Sequence, residues 1–409
     1  MNSSSGSKKS GSENSSDTDG SLRRLVVLVA LVYVFVALAS FSIDRLTFAS
    51  YGFFTLPLAA AYPVVAVAVL FAALAGALIL VFRAALECSS DRAAWAALAL
   101  VLVSSPMLLS AFSVSLGYLA APLLVYFAFQ LSTRRYRLVS IALPIAVLFV
   151  LGYGHYVLFV LFALLLTTPL RPDPDPRLGE LFLLTAVAFI ATGSVLSFEF
   201  SVERALPFGL VFIALGVFAT YRVIMRGSRR VDPYVALALA SAVLFFLSDP
   251  LAPLMLTLSA GVLVAIALEV VMRFFELSRI PFKRLVSFST VVFFVVLTLV
   301  QSVFFLAAQE RMDPGLAASL MSVDEGVVAI DEQLSHALAF YSGAQVVPLT
   351  SEEVELLETS PFVIPVIERS EGRFSRVVLS RMPPYVSNEC FVAEPRGVLV
   401  EVRIRCSLS

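Results

Sequence analysis

The chain has 409 residues, of which 59% are hydrophobic and only 14% are charged, and its formal net charge is -1. No soluble core could absorb that much apolar surface, so the composition indicates a membrane protein whose main solvent is the bilayer. A charge this close to zero provides no basic face for counterion release, and we therefore expect no nucleic-acid partner.

The N-terminal segment is polar up to residue 22, rich in Ser and Gly, and contains no aromatic residue. Such a composition cannot bury enough area to offset chain entropy, which predicts a disordered cytoplasmic tail. The apolar run Leu25–Ile43 follows Arg23 and Arg24 and is long enough to span a bilayer. Because it lacks a small-residue cleavage site, it is interpreted as an uncleaved signal anchor with the N-terminus inside.

Basic clusters divide the following apolar sequence into intervals of about forty residues, which is room for two spans each. The clusters are Arg83/Arg92, Arg134/Arg135/Arg137, Arg171/Arg177, Arg222/Arg226/Arg229/Arg230 and Arg273/Arg279/Lys283/Arg284. Since basic residues mark cytoplasmic loops, each interval holds an even number of spans, and the long run Leu138–Leu170 must break at Gly152–His155. With a last span at Leu285–Ala308, the sequence predicts a polytopic α-helical membrane protein of about eleven transmembrane helices, N-in and C-out.

The predicted domains are a disordered cytoplasmic tail (1–22), a transmembrane helical domain (23–308) and a small extracytoplasmic α/β domain (309–409). In the last of these, the strand-like runs GVVAI, QVVPL, PFVIPVIE, RVVLSR and VLVEVRIR alternate with two short helical patterns, which predicts a partly parallel sheet. Cys390 and Cys406 lie in this domain, where they form either a disulfide or two free thiols. The lack of an organellar transit peptide favours a prokaryotic cell membrane as the location of this multi-pass protein.

The turn between the two spans of each interval is predicted to lie on the outer side of the membrane. Charged and aromatic residues collect in these outer turns, whereas no apolar span carries a central charge. The candidates for one extracytoplasmic cleft are Asp44, Arg45, Tyr153, His155, Glu199, Glu203, Arg204 and Asp249, with Tyr156 beside His155. A carboxylate can act as general base toward a hydroxyl acceptor, and an arginine can hold a lipid-linked phosphate through paired hydrogen bonds. The alternative for each residue is a helix-capping role in the headgroup region. The uncharged spans argue against an ion-coupled transporter.

We expect no cofactor and no metal ligands, because no outer turn carries the pair of carboxylates, Asp-X-Asp, that a divalent cation generally requires. A divalent cation held by a different set of ligands is not excluded by this pattern.

Three stretches of the sequence carry a resemblance to a known family. They are VSSPMLLSAFSVSLGYLAAPLLVYFAFQLSTRR, LSDPLAPLMLTLSAGVLVAIALE and AIDEQLSHALAFYSGAQVVPLTSEEVELLE. In the first stretch, a Ser-Pro turn precedes a Tyr-containing helix with a basic end. In the second, a proline-rich outer turn precedes a helix of small residues. In the third, a Tyr-Ser-Gly turn comes after a short helix. This layout resembles the GT-C superfamily of polyprenyl-phosphate-dependent glycosyltransferases, in particular its protein-mannosyltransferase-like and aminoarabinose-transferase-like branches.

The resemblance implies an enzyme of protein glycosylation or the cell envelope, whose partners are a polyprenyl-phosphate-linked sugar, a protein or lipid acceptor and membrane lipids. It places Asp44 at the catalytic position, with Arg45 and Arg204 at the donor phosphate. The first outer loop is shorter than in the family, and Asp44 is followed by Arg45 where the family has an acidic pair or a lone Asp. A divergent or inactive member would show this departure. The alternatives are a non-catalytic membrane scaffold that binds a glycan or protein partner and, with lower weight, a flippase or transporter of a lipid-linked substrate.

Overall fold

The computed structural model describes residues 63–110, 117–133, 138–167, 177–191, 210–226, 230–247, 249, 251–277 and 282–308, scattered helical residues between Arg24 and Val34, and the backbone of several short strands. The chain divides into two compact units. One comprises residues 1–35, 71–110 and 117–307, and the other comprises residues 36–70, 111–116 and 308–409. The predicted tail at 1–22 lies outside the described residues, and the domain boundaries at 22 and 308 stay predictions.

The described helices follow one another along most of the chain to residue 308. They are α1 (Pro63–Cys88), α2 (Asp91–Leu102), α3 (Ser105–Ser110), α4 (Gly117–Ser132), α5 (Leu138–Val150), α6 (Gly154–Thr167), α7 (Arg177–Ala191), α8 (Leu210–Arg226), α9 (Asp232–Phe246), α10 (Ala252–Leu277) and α11 (Lys283–Ala308). Cys88 is the last residue of α1 and the one cysteine among the described residues.

The apolar helices are those of a membrane protein. Within the described residues, the stretches Ala68–Cys88, Ala252–Leu277 and Leu285–Phe305 are long and apolar enough to cross a bilayer. Several shorter apolar helices accompany them, including α4, α6 and α9. The total of eleven spans and the sidedness of the protein stay predictions.

The helix break predicted at Gly152–His155 is confirmed. Helix α5 ends at Val150 and α6 begins at Gly154. The Gly152 and Tyr153 amides donate to the carbonyls of Phe149 (3.1 Å) and Leu148 (2.8 Å), which is the hydrogen-bond pattern of a Schellman C-cap. Gly152 takes the left-handed conformation that this cap requires, with a φ of 83°. Glycine adopts it without the steric cost that a Cβ would add.

Helix α10 forms the centre of the helical unit. Helices α2, α8 and α9 pack against it, and α9 also packs against α6. Gly261 allows α10 to approach α1 and α2 closely, because a Cβ at this position would lie 2.7 Å from Cγ2 of Val101 and 3.3 Å from Cγ1 of Val81. Small residues let helices approach closely in lipid, where packing replaces the hydrophobic effect as the source of association.

The strands form two separate sheets. The short strands β1 (Phe48–Ala49) and β2 (Ser113–Val114) pair in parallel. Strands β3 (Val327–Asp331), β4 (Val346–Leu349), β5 (Phe374–Leu379), β6 (Phe391–Arg396) and β7 (Leu399–Ile404) form a five-stranded sheet in the order β4-β3-β5-β7-β6. Strand β3 runs parallel to β4 and β5, while β7 is antiparallel to β5 and β6, so the sheet is partly parallel, as predicted.

The sequence did not predict strand β6. Its residues FVAEPR include Pro395 and two charged residues, Glu394 and Arg396, which weaken a strand pattern. The strand lies at the edge of the sheet, where a proline costs no ladder hydrogen bond if its position faces away from the neighbouring strand. The strand predicted at PFVIPVIE and the two short predicted helices fall outside the described residues. The extracytoplasmic location of the sheet stays a prediction.

Candidate functional site

Two of the predicted outer turns meet at one side-chain contact. His155 is the second residue of α6, and Asp249 lies in the connection between α9 and α10. The Nε2 atom of His155 is 3.0 Å from Oδ2 of Asp249, and the side chains are only 12% and 13% exposed. Residues far apart in the sequence thus form a largely buried polar pair at the junction of three helices.

Asp249 is held from several directions. Its Oδ1 atom accepts hydrogen bonds from the Tyr156 hydroxyl (2.8 Å) and from the Leu251 amide (2.9 Å). The Leu251 bond is an Asx-type turn, in which the side chain binds the backbone two residues on and prepares the start of α10. The Asp249 amide donates to the carbonyl of Leu244 at the end of α9, 2.9 Å away. Both carboxylate oxygens therefore have partners within the protein.

His155 presents both ring nitrogens to oxygen atoms. Its Nδ1 atom is 3.2 Å from the Gly152 carbonyl, and its Nε2 atom faces Asp249. A carbonyl only accepts, so this contact places a proton on Nδ1. A further proton between Nε2 and Oδ2 then gives either an imidazolium–carboxylate pair or a neutral imidazole beside a carboxylic acid.

Aromatic rings enclose the pair on the α6 side. The ring centroid of Tyr156 is 4.9 Å from that of His155, and the ring of Tyr153 lies 6.2 Å from His155. Tyr156 is fully buried. From the sequence alone, Tyr153 and Tyr156 are equal candidates for a contact near His155. The position at which α6 begins determines that the Tyr156 hydroxyl is the one that reaches Asp249. The site that we define consists of His155, Tyr156 and Asp249, and we call it the outer polar cluster.

The structure thus brings together Tyr153, His155 and Asp249 among the residues predicted to line a cleft. The remaining predicted site residues lie outside the described residues: Asp44, Arg45, Glu199, Glu203, Arg204, Cys390 and Cys406. Their roles, and that of the outer polar cluster toward any substrate, stay predictions. In the part of the chain that the structure describes, no group of three or more His, Cys, Asp or Glu side chains is placed to hold a metal ion.

Buried hydroxyls form a second polar group around α3. The Tyr33 and Ser110 hydroxyls are 2.7 Å apart, and Ser110 Oγ also donates to the Met107 carbonyl at 2.5 Å. Ser105 at the start of α3 donates to Ser302 of α11, 3.1 Å away. Hydroxyls that bind neighbouring helices or backbone carbonyls are satisfied within the apolar interior. These contacts fasten the Ser-Pro turn to the helices around it.

The likeness of this chain to solved structures is weak. No family model matches the chain, and no curated protein matches it. A solved structure to which it is similar is that of the archaeal oligosaccharyltransferase AglB from Archaeoglobus fulgidus in complex with an inhibitory peptide and a dolichol-phosphate, with a TM-score of 0.46 and 12% sequence identity. The alignment covers 74% of this chain and 57% of that chain. A likeness at this level assigns neither a fold family nor an activity to the chain.

Proposed function

We propose that the chain is a membrane glycosyltransferase that moves a sugar from a polyprenyl-phosphate carrier to a protein or lipid acceptor on the extracytoplasmic side. The observation that carries the proposal is the outer polar cluster, in which His155 and Asp249 meet at 3.0 Å within a predominantly apolar helical unit. Ionisable side chains are costly in apolar helical proteins and mark functional sites when they are retained. The three stretches that resemble the GT-C superfamily give the cluster its proposed chemical setting.

In the proposed reaction an acceptor hydroxyl or amide attacks the anomeric carbon of the donor sugar. The bond from that carbon to the phosphate oxygen breaks, and the polyprenyl phosphate leaves with the bonding electrons. Asp44 takes the acceptor proton as general base, and Arg45 with Arg204 holds the charge that develops on the phosphate. Glu199 and Glu203 complete the proposed cleft.

The outer polar cluster has a positioning role in this proposal. Asp249 starts α10 through Leu251 and fastens the α9–α10 connection to α6 through Tyr156 and His155. A fixed connection would hold neighbouring cleft residues within the narrow limits that productive geometry requires.

One observation favours a second candidate function, a non-catalytic scaffold that binds a glycan or protein partner. Both carboxylate oxygens of Asp249 already have partners in the protein, as a purely structural cluster would require. The scaffold hypothesis predicts that Asp44→Ala leaves function intact, whereas deletion of residues 311–409 abolishes it. A flippase is the weakest candidate, since no apolar span carries a central charge.

The test is sugar transfer by the purified full chain in nanodiscs, from a series of radiolabelled polyprenyl-phosphate sugars to an acceptor extract. We expect Asp44→Asn to lower the rate by about 10²- to 10⁴-fold, because the amide cannot accept the acceptor proton. Asp91→Asn, in the first turn of α2, removes the same charge outside the proposed cleft and should leave the rate unchanged. Equal rates for wild type and Asp44→Asn would exclude Asp44 as the base.

A further inference from the structure

An open apolar groove with a volume of about 650 Å³ lies between α8 and α9. Both helices pack against α10, but they pack little against each other, so α10 forms the floor of the groove. Phe212 and Tyr221 mark the two ends on α8, and Val235 and Phe246 mark the two ends on α9. The volume lies in the range of ligand pockets, which is about 300–1,000 Å³.

The walls of the groove are apolar and open outward. Val217 is 65% exposed and Phe246 is 48% exposed, although both are large apolar side chains. Gly216 widens the groove in the middle of α8, because a Cβ added there would meet no atom within 4 Å. Thr220 and Tyr221 supply side-chain hydroxyls to the lining at one end. In a membrane, a surface of this kind faces lipid chains.

The length of the groove fits one leaflet. The stretch Phe212–Tyr221 rises about 14 Å at about 1.5 Å per residue. Half of a hydrocarbon core of about 30 Å is about 15 Å. One extended lipid chain that remains in a single leaflet would therefore occupy the groove from end to end.

Positive charge lies beside the Tyr221 end, where Arg222 follows Tyr221 in α8 and Arg230 precedes the start of α9. Four arginines, Arg222, Arg226, Arg229 and Arg230, occur with a single acidic residue, Asp232, between Tyr221 and Val235. Each basic residue beside a membrane helix increases the affinity for an anionic headgroup by about fivefold. Lipid chains are as apolar as the groove walls, so the groove alone does not distinguish one lipid from another. A preference for one class of lipid must therefore come from the headgroup.

We propose that the groove is a binding site for an anionic glycerophospholipid, with one acyl chain between α8 and α9 and the phosphate beside Arg222 and Arg230. The proposal does not depend on sugar transfer, because the arginines that would hold the phosphate lie beside the N-terminal end of α9, whereas Asp249 follows its C-terminal end. It would fill the space that the two helices leave open and so hold α8 in place.

The test measures retained lipid by native mass spectrometry. The full chain is exchanged into nanodiscs of equal phosphatidylglycerol and phosphatidylcholine with identical acyl chains, then extracted into mild detergent. We expect about one phosphatidylglycerol per chain and at least about a tenfold preference over phosphatidylcholine, from two or more arginines. Arg222→Gln with Arg230→Gln should reduce that preference by about tenfold or more, whereas Arg134→Gln with Arg135→Gln, the same charge loss elsewhere, should not.

Variants of Gly216 test the groove itself. Gly216→Trp should fill it and abolish retention of the lipid, and the smaller Gly216→Leu should weaken retention. Gly76→Trp is the matched control, since an added Cβ at Gly76 of α1 also meets no atom within 4 Å, and it should retain the lipid. Circular dichroism and size-exclusion profiles equal to wild type establish that each variant is folded.

Several results would overturn the proposal. Equal retention of the two phospholipids, or equal retention by Gly216→Trp and Gly76→Trp, would show that no anionic lipid occupies the groove. Displacement of phosphatidylglycerol by an equimolar polyprenyl phosphate would assign the groove to that carrier. A dimer that dissociates in Gly216→Trp but not in Gly76→Trp would assign it to a second copy of the chain.

Discussion

Helix α9 takes part in two junctions that are built in opposite ways. At its C-terminal end, Asp249 binds Tyr156 and His155 of α6 and the backbone at the start of α10. Toward α8 its apolar face packs little, and an open groove remains. In lipid, apolar side chains gain nothing by leaving the bilayer for one another. A helix junction therefore closes where polar contacts or close-fitting small residues hold it, and stays open where neither is present.

The largest effect is expected from removal of the Asp249 carboxylate, which joins α6 to the α9–α10 connection. Asp249→Ala leaves His155 and the buried Tyr156 hydroxyl without their partner, and we expect the free energy of unfolding to fall by about 3 kcal/mol. Asp249→Asn should retain most of the stability. Its oxygen can accept from Tyr156 and Leu251, and its amide can donate to the Nε2 atom of a neutral imidazole. Unfolding in mixed detergent micelles measures both changes, and equal losses for the two variants would contradict the assignment of partners.

The close packing of α10 provides the next test. Gly261→Leu places a side chain where the Cβ alone would lie 2.7 Å from Val101, so we expect a loss of about 2 kcal/mol in the free energy of unfolding. Gly76→Leu is the control because its Cβ has open space. Adding Val101→Ala to Gly261→Leu should restore part of the loss. The same micelle titration reports all three, and a loss as large for Gly76→Leu would refute the packing explanation.

A smaller effect is expected at the cap between α5 and α6. Gly152→Ala puts a Cβ on a residue with a φ of 83°, which should cost about 1 kcal/mol of stability. The strain is local, so thermal unfolding in detergent should show a modest decrease in Tm. Gly76→Ala, within helix α1, should show no decrease. A Gly152→Ala variant as stable as wild type would mean that the break does not depend on a left-handed residue.

The smallest effect is expected at the hydroxyls around α3. Tyr33→Phe removes the 2.7 Å hydrogen bond to Ser110, but Ser110 still donates to the Met107 carbonyl. Interhelical hydrogen bonds in membrane proteins contribute about 0.6 kcal/mol on average, and we expect a loss of that size. Chemical unfolding of Tyr33→Phe beside Tyr126→Phe, a tyrosine outside this contact, gives the comparison. A loss above about 2 kcal/mol would show that the turn depends on Tyr33 far more than one such bond explains.

Local signals in the sequence predicted the helix break but not the partners of each side chain. Gly152 and the parity of the arginine clusters placed the break between α5 and α6, because cap chemistry and positive-inside charge are both local properties. The contact between His155 and Asp249 depends on how α6, α9 and α10 pack, and sequence spacing carries no record of that packing. Strand β6 was missed because Pro395 obscures its pattern, and the groove was missed because apolar periodicity does not show which helix faces remain apart.

The central claim of sugar transfer is tested most directly with the wild-type chain alone, in nanodiscs that contain a radiolabelled polyprenyl-phosphate sugar and an acceptor extract. We predict labelled acceptor that increases with time and depends on the donor lipid. Absence of transfer from every donor tried, by protein whose cooperative unfolding shows that it is folded, would contradict the claim and favour the scaffold.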